Sequence, residues 1–199
     1  MREDYAWNSI IREAYAASRD LRVPTIGMDD GYVLYSTAFL TALRFGRLKA
    51  MDAGAGVGFS TIWIVKALLE SGVEGNVFAV ERALRRFEKL KRLVADYHLE
   101  HLLTPVNGDA LEYARKVEKL NFVFMDIEKE YYLKFFRLIE SKVLKGGLVL
   151  AHNVKHTYGT VEAFLSEASR GMWKTIVVPT VEGLSISLKL ESANGYFSG

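Results

Sequence analysis

Cysteine is absent from the chain, which removes disulfides, thiolate metal sites and cysteine nucleophiles from consideration at once. Glutamine is absent too, beside plentiful Glu, Lys and Arg, a bias that leans toward a thermophilic protein. With only three prolines, no low-complexity tract and no internal repeat, nothing marks a linker or divides the chain. No apolar run approaches the roughly 20 residues that span a bilayer. The opening Met1-Arg2-Glu3-Asp4 carries acids and no apolar segment, so a secretory leader is not expected and a cytoplasmic protein is. A formal charge of +2 neither requires nor excludes a nucleic-acid partner. What is present is 50% hydrophobic over 199 residues. That fills one core and leaves little room for a second domain.

Apolar spacing through Ile10-Ile11 and Ala14-Tyr15 predicts a helix, broken at Val23-Pro24-Thr25-Ile26-Gly27, and a second helix is expected from Gly31 to Phe45. These form an expected helical cap over residues 1–45. Strands and helices then alternate through an expected core of 46–190, with 191–199 as a tail. Strands are predicted at Leu48–Met51, Asn76–Val80, Leu103–Val106, Asn121–Met125 and Gly147–Ala151. Helices are predicted at Phe59–Leu69, Leu84–Tyr97, after Asp109, at Tyr131–Val143 and at Thr160–Arg170. The end reads differently, as strand, turn and strand from Lys174 to Leu190. The pattern is an α/β, doubly wound, Rossmann-like sheet of seven strands, mostly parallel, with a C-terminal antiparallel hairpin and helices on both faces.

Three glycines, Gly54, Gly56 and Gly58, stand between a predicted strand and a predicted helix. There the missing β-carbons permit a tight turn and close approach of a ligand to the helix N-terminus. Such loops serve many nucleotides. Two details narrow the choice. The spacing is Gly-x-Gly-x-Gly, whereas dinucleotide sites use Gly-x-Gly-x-x-Gly. Asp52, two positions before the first glycine, would repel a pyrophosphate but suits a cation. S-adenosylmethionine carries a sulfonium and an ammonium and no phosphate. Glu81 ends the next strand, where a carboxylate can accept ribose hydroxyl protons. Asp109, after the third strand, is placed for an adenine amino group, although its plainer reading is a helix N-cap. The fourth and fifth strand ends bring Asp126, Lys129, His152 and Asn153 toward the same crevice.

The chain resembles the metal-dependent, class I S-adenosylmethionine-dependent O-methyltransferases of the catechol and caffeoyl-CoA type from about Asp29 to Leu190. Asp29-Asp30-Gly31-Tyr32-Val33-Leu34 is similar to the family's Asp-Glu-Gly-Gln-Phe-Leu segment. Asp52 to Thr61 resembles its Glu-x-Gly-x-x-x-Gly-Tyr-Ser-Thr loop. Asp126-Ile127-Glu128-Lys129 with Tyr132 resembles Asp-Ala-Asp-Lys-x-x-Tyr, and His152-Asn153-Val154 resembles a strand end Asp-Asn-Val. Val178-Pro179 through Glu182-Gly183-Leu184 resembles the closing hairpin turn. The resemblance implies that Asp52, Gly54, Ser60, Glu81, Asp109 and Ala110 contact the cofactor. It implies a divalent metal (Mg, Mn or another transition metal) at Asp126, His152 and Asn153, and a general-base role for Lys129. Loss of Asp126 or Lys129 is expected to stop turnover.

One position departs from the family. His152 stands where it has an aspartate, and Mg²⁺ prefers oxygen ligands while imidazole suits softer ions. Either the metal differs or the site does without one. The expected function is methyl transfer to the hydroxyl of a small acceptor, with aromatic acceptors among the candidates. The basic run Arg82, Arg85, Arg86, Lys89, Lys91 and Arg92 keeps an RNA (tRNA) methyltransferase open, although such a run is usually a solvated helix face. The altered ligand keeps a catalytically silent cofactor-binding protein open, and a homodimer is also open. His156 is expected at the surface.

Overall fold

A computed structural model of the chain describes residues 2–155 and 159–191. His156 and nearly all of the expected tail lie outside them. Two helices, α1 (Arg2–Asp20) and α2 (Met28–Phe45), precede the alternating part. This runs β1 (Arg47–Ala53), α3 (Phe59–Ser71), β2 (Glu74–Glu81), α4 (Leu84–Asp96), β3 (Leu103–Asn107), α5 (Ala110–Lys116) and β4 (Leu120–Met125). A 3₁₀ turn (Lys129–Tyr131), α6 (Tyr132–Ile139), β5 (Val143–His152), α7 (Thr160–Glu167), β6 (Trp173–Val178) and β7 (Leu184–Lys189) complete it. No helix among the described residues is long and apolar enough to cross a membrane.

The seven strands lie in the order β3-β2-β1-β4-β5-β7-β6. The first five in this order pair in parallel and β7 pairs antiparallel with both β5 and β6, as the sequence pattern predicts. Strand alternation feeds two cores. Ala50, Phe122 and Phe124 face one side with Leu34, Ile62 and Leu90, so α1 to α4 cover it. Met51, Val123 and Met125 face the other with Leu111, Phe136 and Phe164 of α5, α6 and α7. The chain winds outward in opposite directions from β1 and β4. A crevice therefore opens at their carboxyl ends, where ligands bind in such sheets.

Boundaries differ at one place of consequence. The apolar run predicts a helix to Val143, but α6 ends at Ile139 and Val143 begins β5. Val143 pairs with Leu120, and the register shifts between Leu120 and Phe122. Strand pairing outweighs helical spacing here. Asn121 sits at that shift, 1% exposed. Its Oδ1 accepts from the Lys49 backbone N–H at 2.8 Å and its Nδ2 donates to the Arg47 carbonyl at 2.8 Å. Asn121→Leu leaves both β1 groups unpaired, so a loss of about 2–6 kcal/mol is expected, at about 1–3 kcal/mol per orphaned group. Urea unfolding measures it, and an unchanged midpoint would contradict this account of the β1–β4 junction.

Candidate active site

The glycine loop leaves the end of β1 and turns back beneath the ends of β2 and β4. Gly54 and Ala55 donate their N–H groups to the Val80 carbonyl, and Asp126 donates its N–H to the Ala53 carbonyl. Gly54 has φ +91°, and a β-carbon on it would come within 2.2 Å of the Asp126 carbonyl oxygen. This close approach is why β1 and β4 can present their tips side by side. Gly58, with φ +101°, lines neither cavity described below; a β-carbon there would meet Leu90 of α4 at 2.8 Å. Its need for glycine is packing.

A cavity of about 600 Å³ opens above the loop. Gly54, Gly56 and Ser60 line one side, Asp126, Lys129, His152 and Asn153 another, and Val23 to Ile26 a third. A smaller hollow of about 90 Å³ adjoins it, lined by Glu81, Asp109 and Ala110, with Gly54, Arg86 and Asp126 common to both. Of the residues expected to touch a cofactor, all but Asp52 and Gly58 border one hollow or the other. Glu81 is buried and accepts from the backbone N–H groups of Gly56 and Ala83. Asp109 caps α5, its Oδ1 accepting from Leu111 and Glu112, so the capping reading of that residue applies whether or not a ligand also meets it.

Asp52 lies behind the loop, fully buried. Its Oδ2 accepts from the Ser60 hydroxyl at 2.8 Å and the Thr61 hydroxyl at 2.6 Å, while Oδ1 has no partner. Burial, helped by the charges of Asp126 and Glu81, pushes this carboxyl up to about 7 against those two hydroxyls. Three acids thus repel one another across the loop, and a ligand bearing positive charge would relieve them. The arrangement fits a cationic nucleoside such as S-adenosylmethionine and disfavours a phosphate.

The opposite wall is a cluster of four charges. Lys129 Nζ, in the 3₁₀ turn, donates to Asn153 Oδ1 at 2.7 Å and to Asp126 Oδ1 at 3.4 Å. Asn153 has φ +55°, a left-handed conformation that asparagine tolerates better than most residues. Its amide is thereby aimed at Lys129 as the chain leaves β5. His152, at the tip of β5, is 3% exposed. Its Nε2 stands 3.2 Å from Asp30 Oδ2 and its Nδ1 3.5 Å from Asp126 Oδ2, at ion-pair distances without full hydrogen-bond alignment. Asp30 is 1% exposed and accepts the Gly27 N–H at the start of α2. The buried Tyr132 hydroxyl donates to the His152 carbonyl at 2.8 Å and holds the strand tip from below. Residue spacing alone assigns no role to Asp30 or Tyr132; their place in the motifs Asp29-Asp30-Gly31 and Lys129-x-x-Tyr132 is the only signal.

Burial lowers the His152 imidazole, but Asp126 and Asp30 outweigh it and raise it from 6.5 to about 9. The same contact, with Thr180, holds Asp30 low in spite of its burial. For a base whose folded value is raised, the stabilisation is complete below pH 6.5 and is lost as pH climbs through about 9. The melting temperature of the wild type over that of His152→Gln is therefore expected to shrink between neutral pH and pH 10. A gap that stays constant over this range would contradict the ion-pair reading.

These contacts do not fit a divalent metal at Asp126, His152 and Asn153. Both ring nitrogens of His152 are turned to carboxylates, and Lys129 occupies the inner oxygens of Asp126 and Asn153. Among the described residues no three His, Cys, Asp or Glu side chains are grouped to hold an ion. The basic run has Arg85, Lys89, Lys91 and Arg92 exposed on α4 with Leu90 and Leu93 buried, and Arg82 and Arg86 are its members that reach the cavities.

Solved structures share this fold. An O-methyltransferase from Bacillus cereus in complex with SAH superposes with a TM-score of 0.77 at 17% identity, over 91% of this chain and 90% of that one. The O-methyltransferase TomG from Streptomyces achromogenes, in complex with SAM, gives 0.77 at 20%, over 91% and 89%. A methyltransferase from Geobacter sulfurreducens gives 0.77 at 20%, over 92% and 90%. At such identities the likeness establishes the fold. The family described as "Methyltransferase domain" matches residues 51–154, a span that begins just before Asp52 and closes just after Asn153. Since that span is more than half of the chain and holds the glycine loop and the Asp126–Asn153 wall, the chain belongs to the methyltransferase-domain family.

Proposed function

We propose that the chain is an S-adenosylmethionine-dependent O-methyltransferase acting on a small phenol-type hydroxyl. One observation carries this reading: a single cavity joins the glycine loop to Lys129, so donor and acceptor can share it. When bound, S-adenosylmethionine supplies an electrophilic methyl carbon on a sulfonium sulfur. Gly54 and Gly56 leave room for it, and Glu81, at the smaller hollow, is suited to ribose hydroxyls. Ser60, bonded to Asp52, extends the same wall.

On the acceptor side Lys129 acts as general base. A neutral amine has two N–H groups, which Asp126 and Asn153 engage, and one lone pair, which is left for the acceptor's proton. The acceptor O–H bond breaks toward Nζ as the oxygen attacks the methyl carbon and the C–S bond opens. A methyl ether, a thioether and a lysine ammonium result. The ordinary value of a phenol hydroxyl, about 10, puts its proton within reach of an amine base. An aliphatic alcohol would not give up its proton so readily. That difference favours an aromatic hydroxyl.

Incubation of the wild type with the methyl donor and separate pools of phenols, catechols, aliphatic alcohols and tRNA tests this, read as release of S-adenosylhomocysteine. Turnover with phenols or catechols is expected. Turnover with tRNA alone, through the basic face of α4, would replace the reading, and release with no pool would identify a silent binder.

A further inference from the structure

We propose that His152, clamped between Asp30 and Asp126, is a built-in cation that takes the place of a divalent metal, so that this site transfers methyl groups without one. The inference rests on the methyltransferase reading above and adds how the site supplies its positive charge.

A metal needs lone pairs converging on one point. Mg²⁺ asks for near-octahedral oxygen donors, and a transition ion that accepts imidazole needs it deprotonated. Neither demand is met. The two ring nitrogens of His152 diverge toward different carboxylates, Asp30 Oδ2 at 3.2 Å and Asp126 Oδ2 at 3.5 Å. With both facing anions, both are best satisfied as N–H donors, which is the imidazolium. Asp126 has no free oxygen either, because Oδ2 faces His152 and Oδ1 faces Lys129. The Asn153 carbonyl oxygen also accepts from Lys129.

Charge leads to the same result. Asp30 and Asp126 carry two negative charges, and the His152 imidazolium between them meets both. A dication would have to displace that cation, and Asp30, 1% exposed, would then be left without a counter-charge, a costly state for a carboxylate. Asp30 has little freedom to follow a metal, since the Gly27 N–H holds it at 3.0 Å in the first turn of α2. The clamp also ties α2 to the tips of β4 and β5, a link that a metal held on strand ends alone would not make.

The test uses chelator-treated wild-type protein, titrated calorimetrically with Mn²⁺ and with Mg²⁺ and melted with and without each, alongside S-adenosylhomocysteine release from S-adenosylmethionine as a phenol is methylated. No heat of binding, no shift in melting temperature and turnover unchanged by EDTA are expected. His152→Asp restores an anionic oxygen and removes the cation, and is expected to gain a rise in melting temperature with Mn²⁺. Stoichiometric Mn²⁺ or Mg²⁺ uptake by the wild type, or chelator-sensitive turnover restored by either ion, overturns the proposal. So does a folded His152→Asp protein as indifferent to Mn²⁺ as the wild type. A wild type that takes up no methyl donor sinks the methyltransferase reading instead, and the metal titrations, which need no turnover, tell these failures apart.

Discussion

Lys129→Ala is expected to lower turnover by about 10²–10⁴-fold, the usual contribution of a positioned general base, while leaving uptake of the methyl donor intact. Lys129 Nζ meets Asn153 Oδ1 at 2.7 Å and Asp126 Oδ1 at 3.4 Å, on the wall across from the glycine loop. Its removal should not disturb the donor's side. Lys129→Arg separates two roles. A guanidinium keeps the positive charge but does not give up its proton in proteins, so the arginine variant should be nearly as impaired as the alanine one. Activity close to wild type in Lys129→Arg would make the residue an electrostatic support. Activity close to wild type in both would remove it from the site.

Gly54→Ala should be severely damaging for so small a change. The left-handed backbone costs an alanine about 1–2 kcal/mol, and forcing its β-carbon against packed neighbours costs about 1–3 kcal/mol more. The neighbour is the Asp126 carbonyl, 2.2 Å from the ideal β-carbon position. Backbone must give way, and it carries Asp126 with it. Loss of donor affinity should therefore accompany the loss of stability. Gly46→Ala is the control, because Gly46 shares a positive φ of 63° but has nothing within 4 Å of the added carbon. It should show the conformational cost alone. Equal effects of the two substitutions in urea unfolding would show that the β1–β4 contact is unimportant.

Much of this was legible in the residues, for reasons that are themselves physical. The glycine spacing and the acids after successive strands are local signals, and the sheet order follows from alternation and right-handed crossovers. Contacts between remote segments carry no such signal. Nothing in the spacing indicates that Asp30, in the first turn of α2, meets His152 at the tip of β5; only the folded chain brings them to 3.2 Å. The place of Asp52 differs for a related reason. A carboxylate before a glycine loop reads as a ligand contact, yet Ser60 and Thr61 turn it inward, so its influence on a bound cation is through its field. The end of α6 departs from the sequence pattern because Val143 and Leu144 continue its apolar spacing, while pairing with Leu120 draws Val143 into the sheet.

Calorimetric titration of the folded wild type with S-adenosylmethionine tests the central claim most directly. The crowding of Asp52, Glu81 and Asp126 around the loop predicts uptake of one equivalent. It also predicts protons released to the buffer somewhat below pH 7, because the arriving positive charge favours ionisation of Asp52, whose carboxyl stands at about 7. Folded protein that takes up neither this donor nor its demethylated product would contradict the account.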